Sequence, residues 1–407
     1  MHDVIVIGAG PGGSTTAHYL AQAGLNVLLL DKFDFPREKT CGDALTPRAV
    51  AQLDALGLLP QLQAAAQRVS GVEVVAPSGL MTRAELSAQA GRPDYALVVP
   101  RLILDAAICE RAIRSGARFQ GQTHVTAIET TSSGILVRAR QAGGTVAFTG
   151  RLAVIATGAS PKLLLQAGLL QQPPHTIVAA RAYFEDIPDL SRHLRFHFNG
   201  VPLPGYGWVF PLSESSANIG IGSLRAAQNG TGRSGKSADF AHFIATPAIQ
   251  ALLSGARQGG PVKSYPLRTD FATAPTVGER VLAVGEAAGL VNPITGEGID
   301  YALESGKLAA AHLIELFRTG DLSQPALQCY DGVLREHFQP LFVYCRRRQR
   351  LIGSRWVLNQ LIRAVDRRVA YRQKLINILL GQVEISMAAS QKPLWKTVLS
   401  AATAGLR

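Results

Sequence analysis

Val4-Ile-Val-Ile7 runs without a break into Gly8-Ala-Gly10-Pro-Gly-Gly13, and residues Ser14 to Ala23 that follow carry helical spacing. A continuous apolar run of this kind marks a strand buried on both faces. A second run, Asn26-Val-Leu-Leu-Leu30, then ends in Asp31, which completes a βαβ unit. Gly8, Gly10 and Gly13 let the backbone turn tightly and come close to a pyrophosphate. The helix start offers free N–H groups and the positive end of its dipole, and Asp31 can accept bonds from an adenosine ribose. The unit is therefore predicted to hold a dinucleotide.

Which dinucleotide is decided far downstream. Val281-Leu-Ala-Val-Gly285-Glu286-Ala-Ala-Gly289 is another strand entering a glycine turn, and Asn292-Pro-Ile-Thr-Gly296-Glu-Gly298 opens a further helix at Ile299. Two anchoring segments so far apart in sequence suit an extended ligand such as FAD, with the helix near Gly298 turning its positive end toward the flavin. Between them, Val99-Pro-Arg101-Leu-Ile-Leu-Asp105 leads into a helix and Arg151-Leu-Ala-Val-Ile-Ala-Thr157-Gly158 reads as a strand ending in a turn. These pieces resemble flavoprotein oxidoreductases of the hydroxybenzoate-hydroxylase fold group, in which the matching arginine and Thr-Gly turn touch FAD. No second Gly-x-Gly-x-x-Gly exists for a separate NAD(P)H domain. Where that group often has Asp-Gly, this chain has Thr157-Gly158.

Three longer segments narrow the resemblance: Phe35-Pro36-Arg37-Glu-Lys39-Thr-Cys41-Gly42-Asp43, then Tyr206-Gly207-Trp208-Val-Phe210-Pro211 with Asn218-Ile-Gly220-Ile-Gly222, then Thr295-Gly296-Glu-Gly298-Ile299-Asp300. Over residues 1 to about 320 they resemble the geranylgeranyl reductase family of flavoproteins, most closely its menaquinone reductase branch. The resemblance implies saturation of carbon–carbon double bonds in a prenyl chain by hydride from reduced FAD. The implied cofactor contacts are Gly8, Gly10, Gly13, Asp31, Lys32, Arg37, Cys41, Gly42, Arg101, Thr157, Gly158, Gly285, Glu286, Gly296, Gly298 and Ile299. Glu286 stands where the family usually has Asp, a longer acid that can still accept a ribityl hydroxyl. Implied partners are an isoprenoid lipid substrate and an external reductant, which could be NAD(P)H, ferredoxin or a quinol-linked donor protein.

The residues also make chemical sense by themselves. A strand period of two puts Tyr206, Trp208 and Phe210 on one face, and Gly207 is expected to leave the other bare. On the preceding strand Leu194, Phe196 and Phe198 alternate with Arg195, His197 and Asn199. Tyr206, Trp208, Phe210, Phe196 and Phe198 are read either as a substrate wall or as plain core, and the resemblance favours the wall. Cys41 follows Arg37 and Lys39, which would favour an acidified thiol. It is read as a catalytic candidate with Tyr206 and Trp208, or as a small packed residue. No metal-ligand cluster stands out.

Net charge is +12 over 407 residues, and from Asp321 to Arg407 there are 14 Lys plus Arg against 5 Asp plus Glu, so the basicity is C-terminal. No nucleic-acid reading motif accompanies it. Around residues 344–374 the basic run Cys345-Arg-Arg-Arg-Gln-Arg350 precedes Trp356, Leu358, Leu361, Ile362, Val365 and Val369 at helical spacing, with Arg363, Arg367 and Arg368 largely off that stripe. This is read as a helix lying on an anionic membrane surface, or else packing on its own domain with an exposed basic face. Four scattered cysteines suggest a reducing, cytoplasmic setting, and the chain start gives no signal-peptide pattern.

The expected architecture is α/β: a Rossmann-like FAD-binding domain assembled from 1–70, 97–173 and 270–320, an inserted antiparallel-sheet substrate domain from 71–96 and 174–269, and a C-terminal helical segment, 321–407. A flavin-dependent halogenase or monooxygenase, and a non-catalytic flavin electron carrier at the membrane, stay open as alternatives.

Overall fold

The computed structural model describes residues 1–89, 91–223, 234–349 and 351–381. Arg350 and residues 382–407 of the basic segment lie outside the described residues.

The two apolar runs become neighbours in an eight-stranded sheet. His2–Ile7 pairs in parallel with Val27–Leu30 on one side and with Gly144–Ile155 on the other. Val281–Ala283 extends the sheet beyond Gly144–Ile155, and Arg118–Gln120 beyond Val27–Leu30, again in parallel. Parallel strands covered on both faces need apolar side chains on both, which is why these segments show no alternation. Val4 through Val6 and Leu28 through Leu30 are accordingly buried. The helix Pro11–Gln22 and the long helix Ile299–Thr319 pack closely together. A Cβ on Gly306 would sit 3.1 Å from Thr16 Oγ1, and Thr16 donates to the Gly306 carbonyl at 3.2 Å, so glycine sets how near the helices come.

A second eight-stranded sheet runs Arg257–Gln258, Thr176–Glu185, Ala217–Ser223, Gly205–Pro211, Leu194–His197, Gly71–Val75, Met81–Glu85, with Lys263–Arg268 also paired to Thr176–Glu185. It is mostly antiparallel; Leu194–His197 on Gly71–Val75 is the parallel exception. A third, three-stranded sheet joins Ala44–Leu45, Ala96–Val98 and Gln67–Val69.

The C-terminal segment is helical as expected, through Gln324–Arg348, Arg355–Asp366 and Val369–Leu379. Much of its apolar stripe packs on the protein. Leu358, Ile362 and Val365 are buried, and Leu358 and Ile362 join Ile376, Leu379 and Leu380 in the core of the second sheet. The apolar stripe is therefore spent on the protein itself, because sheet surface within reach of a tethered helix is covered before any outside partner can compete. What remains exposed is Trp356, Val369 and the arginines Arg363, Arg367 and Arg368. Among the described residues no helix is long and apolar enough to cross a membrane.

Candidate active site

One cavity of about 750 Å³ lies against both large sheets, at the upper end of the range usual for small-molecule sites. Its first wall is the glycine turn. Gly8 has φ +104°, and a Cβ there would collide with the Ala156 carbonyl; a Cβ on Gly13 would collide with the carbonyl oxygen of Gly8. The turn thus fits only because both lack side chains. Gly10 caps the helix Pro11–Gln22 without any side-chain hydrogen bond, so the first N–H groups of that helix face the cavity unspent. The Asp31 carboxylate accepts from the backbone N–H of Ala9 at 2.8 Å and of Phe33 at 3.0 Å, which ties the turn to the end of the second strand.

Arg37 lies beside Gly10, 3.1 Å from the fully buried Asp105 and 3.9 Å from Asp31. Asp105 also receives Arg101 through two bonds, at 2.6 and 2.8 Å. Neither arginine is a free cation: Asp105 orients both toward the cavity they line. Lys32, Thr157 and Gly158 line it as well.

The downstream segment forms the opposing end. The Gly285 N–H donates to Ser305 Oγ at 2.9 Å, fixing that turn on the long helix. Glu286 accepts from the Arg268 backbone N–H at 3.3 Å, and the Lys39 ammonium is the cation that most offsets its burial. Burial pulls the Lys39 ammonium, which sits 3.0 Å over the Tyr265 ring, down to about 8, and pushes the Glu286 carboxyl up. Gly296 has φ +70°, and Gly298 caps the helix Ile299–Thr319 with no side-chain bond. Gly296, Gly298 and Ile299 all line the cavity. Two uncapped helix N-termini, a turn that tolerates no Cβ and an acid near each end fit an extended, pyrophosphate-bearing dinucleotide such as FAD.

The aromatic wall follows from strand register. Trp208 pairs with Gly220 and Tyr206 with Gly222 across the Gly205–Pro211 and Ala217–Ser223 strands. A Cβ on Gly220 would collide with the Trp208 indole, so the Gly-Ile-Gly spacing is what lets the ring lie across the neighbouring strand. Trp208 Nε1 donates to Asn218 Oδ1 at 2.9 Å, and its ring stacks on Phe210 with centroids 6.1 Å apart. Phe196 meets Phe210 edge-on at 5.3 Å. Tyr206, Trp208, Phe210 and Phe196 line the cavity.

Two expectations here are corrected. Phe198 falls just beyond its strand and is buried outside the cavity lining, its ring centroid 6.4 Å from that of Tyr206. Nor is the face at Gly207 bare. The Phe243 ring occupies it so tightly that a Cβ on Gly207 would collide with the ring, because a neighbouring helix seals that side of the sheet.

Cys41 is half-buried and lines the cavity, its thiol facing Arg101. A Cβ on the next residue, Gly42, would lie 3.3 Å from Phe210 and 3.5 Å from Trp208 Nε1, so this turn is pressed against the wall. The residue that fastens it was missed from sequence. Asp43, fully buried at φ 65°, accepts from Asn218 Nδ2 and from Tyr183 Oη, both at 2.8 Å, and from Arg101 N–H at 3.3 Å. Asn218 Nδ2 also donates to the Cys41 carbonyl at 2.7 Å. The only sequence signal was an acid after Cys-Gly, where Asp is one of the few side chains that tolerates positive φ.

Comparison with known proteins agrees with this geometry. Residues 1–333 match the FAD binding domain family. The chain is 36% identical over 343 residues to a menaquinone reductase of Mycobacterium tuberculosis, covering 79% of this chain and 78% of that one. It is 28% identical over 346 residues to digeranylgeranylglycerophospholipid reductase 2 of Methanosphaera stadtmanae, covering 82% and 83%. The structure of a geranylgeranyl bacteriochlorophyll reductase-like protein from Thermoplasma acidophilum superposes with a TM-score of 0.81 at 23% identity, over 92% of this chain and 96% of that one, which establishes the shared fold. The chain belongs to the FAD-binding flavoprotein family, in its geranylgeranyl reductase group, and is an FAD-dependent oxidoreductase.

Proposed function

We propose that this protein saturates carbon–carbon double bonds in the prenyl chain of an isoprenoid lipid, with a menaquinone tail as the first choice and a geranylgeranyl chain as the second. The observation that carries the reading is that the aromatic wall and the glycine turn line one and the same cavity. The naming of the relatives supports the substrate class.

In this reading, segments 1–70, 97–173 and 270–320 hold the cofactor, and 71–96 with 174–269 hold the lipid. Gly8, Gly10 and Gly13 give backbone access to the pyrophosphate. Arg37 and Arg101, held by Asp105, balance its charge, with Lys32 and Asp31 at the adenosine end. Thr157, Gly158, Gly285 and Glu286 hold the ribityl end. Gly296, Gly298 and Ile299 present the helix N-terminus to the ring, where a positive dipole favours an anionic form. Bound FAD supplies the hydride, loaded by an external donor. The chain's own part is orientation and exclusion of water. Trp208 and Phe210 hold an apolar chain flat, Phe196 and Tyr206 continue that surface, and Cys41 closes it beside Arg101. A lipid substrate also needs a meeting place with its bilayer. Exposed Trp356 and Val369, beside Arg363, Arg367 and Arg368, supply an apolar tip within a basic surface for anionic headgroups.

The test is anaerobic. Purified, chemically reduced protein is mixed with a prenylated quinone in micelles, and both flavin absorbance and lipid mass are followed. Flavin reoxidation with a gain of two hydrogens that the lipid keeps after air has returned any quinol to quinone supports the reading, since reduction of the quinone ring alone also adds two hydrogens. Flavin that stays reduced over all prenyl lipids offered refutes it.

A further inference from the structure

Three groups able to carry a proton converge beside the last described turn of the C-terminal helices. Around the point where a Cβ on Gly381 would stand, Glu297 Oε2 lies at 2.8 Å, Tyr301 Oη at 3.4 Å and Asp300 Oδ2 at 3.8 Å. Gly381 has φ +60°, and its lack of a Cβ lets the Glu297 carboxyl close on its backbone, where a side chain would collide with Oε2. Glu297 Oε2 and Asp300 Oδ2 are both buried with no hydrogen-bond partner among the described residues. Such oxygens are costly unless something else occupies or neutralises them. Both residues line the cavity, as do Leu379 and Leu380 from the helix end above them. Tyr206 of the aromatic wall donates to the carbonyl of Thr295, two residues before Glu297.

The local charge count is unbalanced. Glu297, Asp300 and Glu304 share one buried cation, Arg48, and Arg48 is paired with Glu304. Glu304 also holds His337 at 2.7 Å. Two neighbouring carboxyls left with part of one arginine cannot both ionise cheaply in a dry site. The N-terminus of the helix Ile299–Thr319 favours one negative charge, and Asp300 stands in its first turn with Oδ1 accepting from Tyr301 N–H at 2.8 Å. The remaining proton therefore belongs to Glu297. Burial raises both groups, Asp300 to about 6 and Glu297 well above the usual carboxylate range, with Asp300 adding to the rise at Glu297.

We propose that Glu297 is the acid that completes double-bond saturation, and that Asp300 is the positioning residue that keeps it protonated. The proposal rests on the prenyl-saturation reading above. The hydride adds to one carbon of the double bond. The bond's π pair then takes the proton of the Glu297 carboxyl at the other carbon, so one O–H bond breaks, one C–H bond forms and Glu297 is left as carboxylate. A proton from solvent restores it.

The test compares E297Q and D300N with the wild type in the FAD-loaded protein, with two readouts. Infrared spectroscopy follows the carbonyl band of a protonated carboxyl at neutral pH, and the prenyl assay follows turnover. The proposal expects a protonated-carboxyl band in the wild type that is missing from E297Q and titrates at lower pH in D300N, while bands shared by the two belong to other buried carboxyls such as Glu286. It expects turnover to fall about 10²-fold or more in E297Q, with FAD content and reducibility unchanged. A wild-type spectrum with no band that E297Q lacks, or wild-type turnover in E297Q, overturns it. If the wild type saturates no prenyl bond, the substrate reading falls, while the band still decides whether Glu297 holds the proton. Should E297Q fail to fold, the band's titration in D300N decides instead, and an unshifted band overturns the proposal.

Discussion

The glycine turn and the aromatic wall face each other across one cavity and are built in opposite ways. At the turn, geometry is enforced by what is absent: Gly8 and Gly13 approach backbone so closely that no Cβ fits. At the wall, geometry is enforced by what is present: the Trp208 ring is pinned by Asn218, which in turn bonds Asp43 and the Cys41 carbonyl from 175 and 177 residues away. Gly13 meets its constraint at Gly8, within a few residues, and such a demand leaves a local trace in the sequence. A constraint met by hydrogen bonds across the fold does not.

The contrast can be broken at either side. Gly13→Ala has the largest expected effect, a loss of more than about 4 kcal/mol of stability together with bound FAD, since the added Cβ meets rigid backbone rather than a side chain able to move. Thermal melts and the flavin content of purified protein check it; a folded variant that retains FAD would mean that the turn yields.

Trp208→Ala is expected to lower prenyl turnover about 10²-fold and to cost about 3–5 kcal/mol of stability, with FAD still bound. If FAD is lost while turnover per remaining flavin is unchanged, the wall serves the cofactor and the substrate assignment is wrong.

Asn218→Ala is the sharper probe, because it leaves the wall aromatics in place. It strands a bond at Asp43 and frees the indole, with an expected cost of about 1–3 kcal/mol and a rise in KM larger than the fall in kcat. An unchanged KM would show that the ring is held by packing alone.

The smallest effect concerns pH. Asp300 has a folded value near 6 against an ordinary 3.8, so between those values the folded state holds the extra proton and stability falls as pH rises. Melting of D300N against wild type across that window is expected to show the wild type losing its relative advantage toward pH 6; parallel curves would contradict the raised value.

These differences mark how much was legible beforehand. The Rossmann-type sheet was readable because unbroken apolar runs and glycines record local demands at Val4 to Gly13 and Val281 to Gly289. The wall was half readable: alternation put Tyr206, Trp208 and Phe210 on one face, yet it extended the neighbouring strand to Phe198 and left Gly207 bare, since only the fold brings Phe243 there. The C-terminal stripe at Leu358 and Ile362 was visible as apolar, but the sheet it packs on was not, because that partner is set by the fold and not by neighbours in sequence. Asp43, Arg48 and Glu297 gave almost no signal, because a buried charge is defined by neighbours distant in sequence.

The central claim is that cradle and wall serve one reaction on a prenyl chain. Its most direct test is the mass of isoprenoid lipids extracted from a host that makes unsaturated menaquinone and geranylgeranyl compounds, with and without this protein. The account predicts a gain of two hydrogens, or a multiple of two, in the prenyl chain of one lipid class, measured with quinols oxidised to quinones, and no added oxygen. An added oxygen or halogen, or lipids unchanged although the FAD-loaded protein and a competent donor are present, would contradict it.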